Sequence, residues 1–112
     1  MKGKYVVRYS RYDSVTYNFN DNSKRHEHSN FGEIVIVHNG TEESCINFVK
    51  VKALEATLEA VDNLFGGKTE ICLNDRGNYS LDIIDSDYEK EGDVRIFRDD
   101  SYVVEKFEPW MK

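Results

Sequence analysis

Apolar and polar side chains alternate along the start of the chain. Tyr5, Val7 and Tyr9 fall on one side of an extended backbone, with Val6, Arg8 and Ser10 on the other. Val15, Tyr17 and Phe19 repeat the pattern against Ser14, Thr16 and Asn18. A period of two is the mark of a half-buried strand. With residues 10–14 turning the chain, the two segments predict a hairpin with one aromatic face. Residues 20–30 are polar and predict a loop. Ile34, Val35, Ile36 and Val37 are apolar on both faces and predict a central strand. Asn39-Gly40 follows at once and suits a type I′ turn, which needs positive φ at both central residues. A returning strand is therefore expected over residues 42–48, a helix extending back to Glu42 being the alternative.

The period then changes. Val51, Leu54, Leu58, Val61 and Phe65 step by three and four residues and form one apolar stripe. This predicts an amphipathic helix over about residues 49–65, its stripe turned to the core. Ala53, Ala56 and Ala60 favour helix and allow close approach to a sheet. Gly66-Gly67 supplies a left-handed cap. Four more strands are predicted at residues 69–73, 79–84, 94–97 and 102–107. Turn clusters separate them, Asn74-Asp75-Arg76-Gly77-Asn78 in the first pair and Arg98-Asp99-Asp100-Ser101 in the second. Strands, one helix, then strands predict an α+β fold, a mainly antiparallel sheet of about six to eight short strands packed on one amphipathic helix.

Length and composition fit this reading. The 112 residues suffice for one domain, residues 1–112, and the only proline, Pro109, marks no linker. Hydrophobic residues make up 39% of the chain and aromatic ones 12%, too much for a disordered chain despite a mean hydropathy of −0.65. A domain of this size buries roughly 65% of its unfolded surface, so no metal or disulfide staple is needed. Cys45 and Cys72 read as reduced and at least partly buried. No run approaches the ~20 apolar residues of a membrane span, and Met1-Lys2-Gly3-Lys4 is followed by Tyr5-Val6-Val7-Arg8 rather than a signal-peptide apolar region. A cytoplasmic location is expected.

The motifs that carry chemistry fail on inspection. Gly67-Lys68-Thr69 resembles the end of a phosphate-binding loop, but Asp62 stands where its first glycine belongs, and the segment leaves a helix instead of entering one. Asp85, Asp87 and Glu89 occupy the first positions of a calcium loop whose sixth and twelfth positions are Lys90 and Ile96. His26 and His28 lack the third ligand of a catalytic zinc. No nucleophile, base and orienting group fall into a recognisable pattern. No enzyme activity, cofactor or metal is expected.

Charge is more informative. The net charge is −6, but residues 1–31 carry six basic and three acidic side chains, a net +3, leaving −9 for the remainder. On the predicted helix Glu55, Glu59 and Asp62 recur at i, i+4 and i+7. Residues 82–93 add Asp82, Asp85, Asp87, Glu89, Glu91 and Asp93 against one lysine. Like charges so close repel. Solubility is the plain explanation. The functional one is that these nine carboxylates meet a basic groove meant for nucleic-acid phosphates on another protein. Tyr12, Arg8 and Arg11 are further contact candidates. In size, acidity, aromatic content and lack of catalytic signals the chain resembles small phage- or mobile-element-encoded inhibitors of host defence nucleases, anti-CRISPR proteins among them. The resemblance implies a non-enzymatic protein-binding inhibitor that mimics nucleic acid, its partner a nuclease or other defence protein with a basic surface. An immunity protein neutralising a cognate toxin, and a small-ligand or nucleotide binder, are the alternatives. Neither direct nucleic-acid binding nor membrane association is expected.

Overall fold

The computed structural model describes residues 4–18, 25–62, 68–89 and 94–111, with side chains described for residues 4–16, 28–59, 68–87 and 94–111. In chain order the elements are β1 (Tyr5–Asn18), β2 (Arg25–Phe31), β3 (Val35–Gly40), α1 (Glu42–Asp62), β4 (Lys68–Asn74), β5 (Ser80–Glu89) and β6 (Val94–Lys106). Every strand pairing is antiparallel. The sheet runs β2-β1-β6-β5-β4, and β3 also pairs with β1. One edge of β1 is thus shared, residues 12–18 pairing with β2 and residues 5–9 with β3. With α1 packed on one face, this is the α+β fold that the alternation predicts.

Several elements differ from expectation, for identifiable reasons. The predicted first hairpin is one 14-residue strand. Its odd-numbered residues stay in phase across residues 10–14, which hold no glycine or proline to turn the chain. Likewise the cluster at residues 98–101 lies inside the 13-residue β6, where Asp99 and Asp100 face opposite sides of the sheet. Residues 25–30, within the segment 20–30 expected as loop, belong to β2, since pairing with the edge of β1 needs backbone groups and no apolar run. β3 is an edge strand and not a central one: Ile34, Val35, Ile36 and Val37 are all exposed, and the ladder bulges at Val37. No strand returns after Asn39-Gly40. Thr41 caps α1 instead, its Oγ1 accepting from the Ser44 amide at 3.0 Å and its carbonyl from the Cys45 amide at 3.0 Å. Any side chain at Gly40 would collide with Ser44 Oγ. The helix therefore begins seven residues earlier than the predicted 49 and spans Glu42–Asp62. The Gly66-Gly67 cap lies outside the described residues.

The core forms where α1 crosses the sheet. Cys45, Val49 and Ala53 of α1 meet Val7, Leu81 and Val104, with Tyr5, Ile71, Ile83 and Tyr102 packed around them. Full burial of an aliphatic side chain such as Leu81 or Val49 contributes about 1.5–3 kcal/mol. Strand alternation and register extend this face away from the cluster in steps. Val7 opposes Val104, Tyr9 opposes Tyr102, Arg11 opposes Asp100 and Asp13 opposes Arg98. The Tyr9 and Tyr102 rings lie 4.9 Å apart between centroids. The next two pairs are ionic, each with an arginine Nε 2.7 Å from a carboxylate oxygen. The molecule is 56 Å long, whereas a 21-residue helix reaches about 31 Å, so part of this face lies beyond the helix.

The other face is covered at one end by the segment after β6. The Phe107 amide donates to the Lys4 carbonyl at 2.8 Å. The Arg8 guanidinium lies 5.1 Å from the Trp110 ring centroid, and its Nη1 binds Glu105 at 3.1 Å. Val6 and Met111 are buried on this side. Arg8 and Arg11, expected as open contact residues, are both held by carboxylates of β6.

Candidate functional site

The residues that pack α1 on the sheet are the small ones. Cys45, Val49, Ala53 and Ala56 are buried at helical spacing, and the short side chains bring the helix close to the sheet. Of the predicted core stripe, Val51, Leu54 and Leu58 lie on the opposite side, 51%, 65% and 68% exposed, and the side chains of Val61 and Phe65 lie outside those described. The periodicity was legible, but the helix carries two apolar stripes, and the more voluminous one faces solvent. Glu55 and Glu59 are exposed beside it. Lys52 Nζ lies 3.4 Å from Glu55 Oε2 and 5.5 Å from the Phe48 ring centroid. Asp62 belongs to the last turn of α1, its side chain outside those described. The outer face of the helix is therefore an apolar strip with an acidic border.

Of the acids of residues 82–93, Asp82, Asp85 and Asp87 do not join that border. Strand alternation separates them: Asp82 lies on the sheet face away from α1, whereas Asp85 and Asp87 lie on the α1 side. Asp85 accepts a 2.7 Å hydrogen bond from Thr69 Oγ1. It stands opposite Arg98, which in turn binds Asp13. Asp87 is opposite Ile96, and Glu89 pairs in the ladder with Val94. The side chain of Glu89, and all of Glu91 and Asp93, lie outside the described residues.

Reading residues 98–101 as a turn hid three functional-looking side chains. Asp100 binds Arg11 and accepts from the Tyr9 hydroxyl at 2.5 Å. Burial and that carboxylate push the Tyr9 phenol up to about 12. Arg98 bridges toward β1. Asp99 is pushed up to about 6, first by burial and then by the neighbouring Asp82 carboxylate. Its Oδ1 is buried with no hydrogen-bond partner among the described residues. The in-phase apolar positions Val94, Ile96, Tyr102 and Val104 were the signal that could have revealed a continuous strand here.

One hydroxyl–imidazole contact brings together the residue types of nucleophilic chemistry. His38 Nε2 lies 3.3 Å from Ser44 Oγ, and the His38 ring stacks on Phe48 at 4.9 Å. Ser44 Oγ, however, donates to the Thr41 carbonyl at 3.0 Å. A hydroxyl has one proton, so Ser44 accepts from His38 and is not activated by it. Among the described residues no three His, Cys, Asp or Glu side chains converge to hold a metal, and no helix is long and apolar enough to cross a membrane. Compared with known proteins, the chain matches no family model, no curated protein sequence and no solved structure.

Proposed function

We propose that this chain is a small non-enzymatic binding protein that docks the outer face of α1 onto a basic, apolar-lined site of another protein and so blocks it. The observation that carries this reading is the inverted helix: Val51, Leu54 and Leu58 are more than half exposed while alanines fill the contact with the sheet. Holding leucines in water gains the free domain nothing. Burying them on a partner gains about 25 cal/mol per Å² of apolar surface. Glu55 and Glu59, about 6 Å apart on one turn, favour a partner whose rim carries arginine or lysine. A nucleic-acid-binding groove of a nuclease or defence protein has that character. The contact set is narrower than the nine acids of the sequence reading, because Asp82 and Asp85 lie on different faces of β5 and Asp85 is held by Thr69. Inhibition by occupying the groove fits the described residues better than mimicry of a phosphate row.

The test is binding to a panel of purified basic nucleases, read by interferometry at about 50 and about 500 mM salt. The expected result is a complex that weakens at least roughly tenfold at the higher salt and is lost in the Leu54→Ser/Leu58→Ser variant. A complex indifferent both to salt and to that variant removes α1 from the interface. A dimer of this chain in light scattering, abolished by the same variant, assigns the strip to a second copy instead.

A further inference from the structure

The sheet face away from α1 has a feature that docking of the helix does not use. At the end distant from Trp110, strand register places Ser14, Phe97, Ser86 and Lys68 in one row across β1, β6, β5 and β4, with Thr16 and Arg95 paired in the next row. These six residues line a concavity of about 480 Å³, to which Asp87 and Ile96, in phase with the α1 side of the sheet, also contribute. That volume is in the range of small-molecule sites.

Three observations say what it would hold. Ser14, Thr16 and Ser86 are half-buried residues whose hydroxyls make no hydrogen bond to any described residue and are open to a ligand. A strand favours Val or Ile at such positions, so three small hydroxyl residues side by side are unusual. Second, Lys68 and Arg95 bring two positive charges to one place on a chain of net charge −6, which solubility does not require. Lys68 Nζ binds Glu70 at 2.7 Å, but both are largely exposed, at 72% and 48%. Such a surface pair is worth under about 1 kcal/mol, so Lys68 can exchange Glu70 for a ligand. Arg95 already has an interaction of its own, and a guanidinium with five N–H donors has capacity for more. Third, the Phe97 ring stands among these groups, fixed by an edge contact with Tyr12 at 6.1 Å and 63°.

We propose that this concavity binds a phosphate monoester carried on a flat ring, the chemistry of a nucleoside monophosphate. The phosphate lies between Lys68, Ser86 and Arg95, and the ring lies against Phe97. This site is separate from the outer face of α1, so either can fail without the other.

Titration of the full chain with AMP, adenosine and inorganic phosphate, followed by amide NMR shifts and calorimetry, tests the assignment. AMP is expected to bind with a dissociation constant below about 1 mM, and adenosine and phosphate alone each at least roughly tenfold more weakly. Lys68→Ala and Arg95→Gln, at exposed positions that leave the fold intact, should each weaken AMP roughly tenfold. Shifts should cluster at residues 14–16, 86 and 95–97. No saturable shift at about 5 mM AMP, or AMP binding unchanged in both variants, overturns the proposal.

Discussion

Asp82 and Asp99 stand next to one another across β5 and β6, two carboxyl groups on the sheet face turned away from the helix. A second carboxylate this close makes Asp99 harder to ionise. Burial of Asp99 adds to the penalty on its charge and raises it to about 6 from the usual 3.8. A carboxyl raised on folding binds more protons in the native state. Its favourable contribution is therefore complete below about pH 4 and is lost as the pH rises through about 6. Asp99→Asn keeps a donor and removes the charge. The variant is expected to melt roughly 4 °C above the parent at pH 7.5, the shift about 1 kcal/mol makes in a domain of this size. That gain should shrink toward zero at about pH 4. A gain independent of pH would place the effect elsewhere.

Replacement of Asp100 should have the opposite sign. Its carboxylate, 14% exposed, receives both the Arg11 guanidinium and the Tyr9 hydroxyl. Asp100→Ala leaves both without that partner and is expected to cost about 2–3 kcal/mol in urea unfolding. Tyr9→Phe should cost about 1 kcal/mol, and less than that once Asp100 is gone. Costs that simply add would show that the two residues do not interact.

The two stripes of α1 predict opposite outcomes for similar substitutions. Val49 is fully buried and Leu54 is 65% exposed. Val49→Ala should lower stability by about 1–3 kcal/mol through lost contacts and the cavity left behind. Leu54→Ala and Leu58→Ala should stay within about 0.5 kcal/mol of the parent. Equal losses at Val49 and Leu54 in denaturant titrations would mean that the outer stripe is covered.

The cysteines were expected to share one environment and do not. Cys45 is buried under α1 and its thiol is pushed up by burial. Cys72 is exposed on β4, where its face of the strand is open. A thiol reagent should therefore modify one residue quickly, Cys72, and the second only as fast as the domain opens. Fast modification of both would contradict the packing of Cys45 against Val7 and Leu81.

The class of the fold was legible because alternation and helical periodicity are local properties. What was not legible depends on competition between surfaces. Periodicity locates a stripe at Val51, Leu54 and Leu58, but it cannot say that a second stripe of Cys45, Val49, Ala53 and Ala56 packs better on a sheet by being smaller. Residues 10–14 and 98–101 look like turns because they are polar. They are strand because each supplies the counter-charges of the other: Arg11 for Asp100, and Asp13 for Arg98. Neither segment alone contains that information. The acids of residues 82–93 were legible as a charge run, but the run does not show that alternation sends Asp82 to one side of β5 and Asp85 and Asp87 to the other.

The position of β6 has a consequence for how the domain is made. β1 lies beside β6, and Tyr5 is paired with Lys106. During synthesis one edge of β1 can pair early with β2 and β3, but its other edge must wait for β6, so that Tyr5 meets Lys106 only after several seconds at about 5–20 residues per second. Until residues 94–106 leave the ribosome, the β4–β5 hairpin and the strands around β1 have nothing to join them into one sheet. The last strand thus acts as the fastener of the whole sheet, and truncation within it should release the domain into solubility failure and proteolysis.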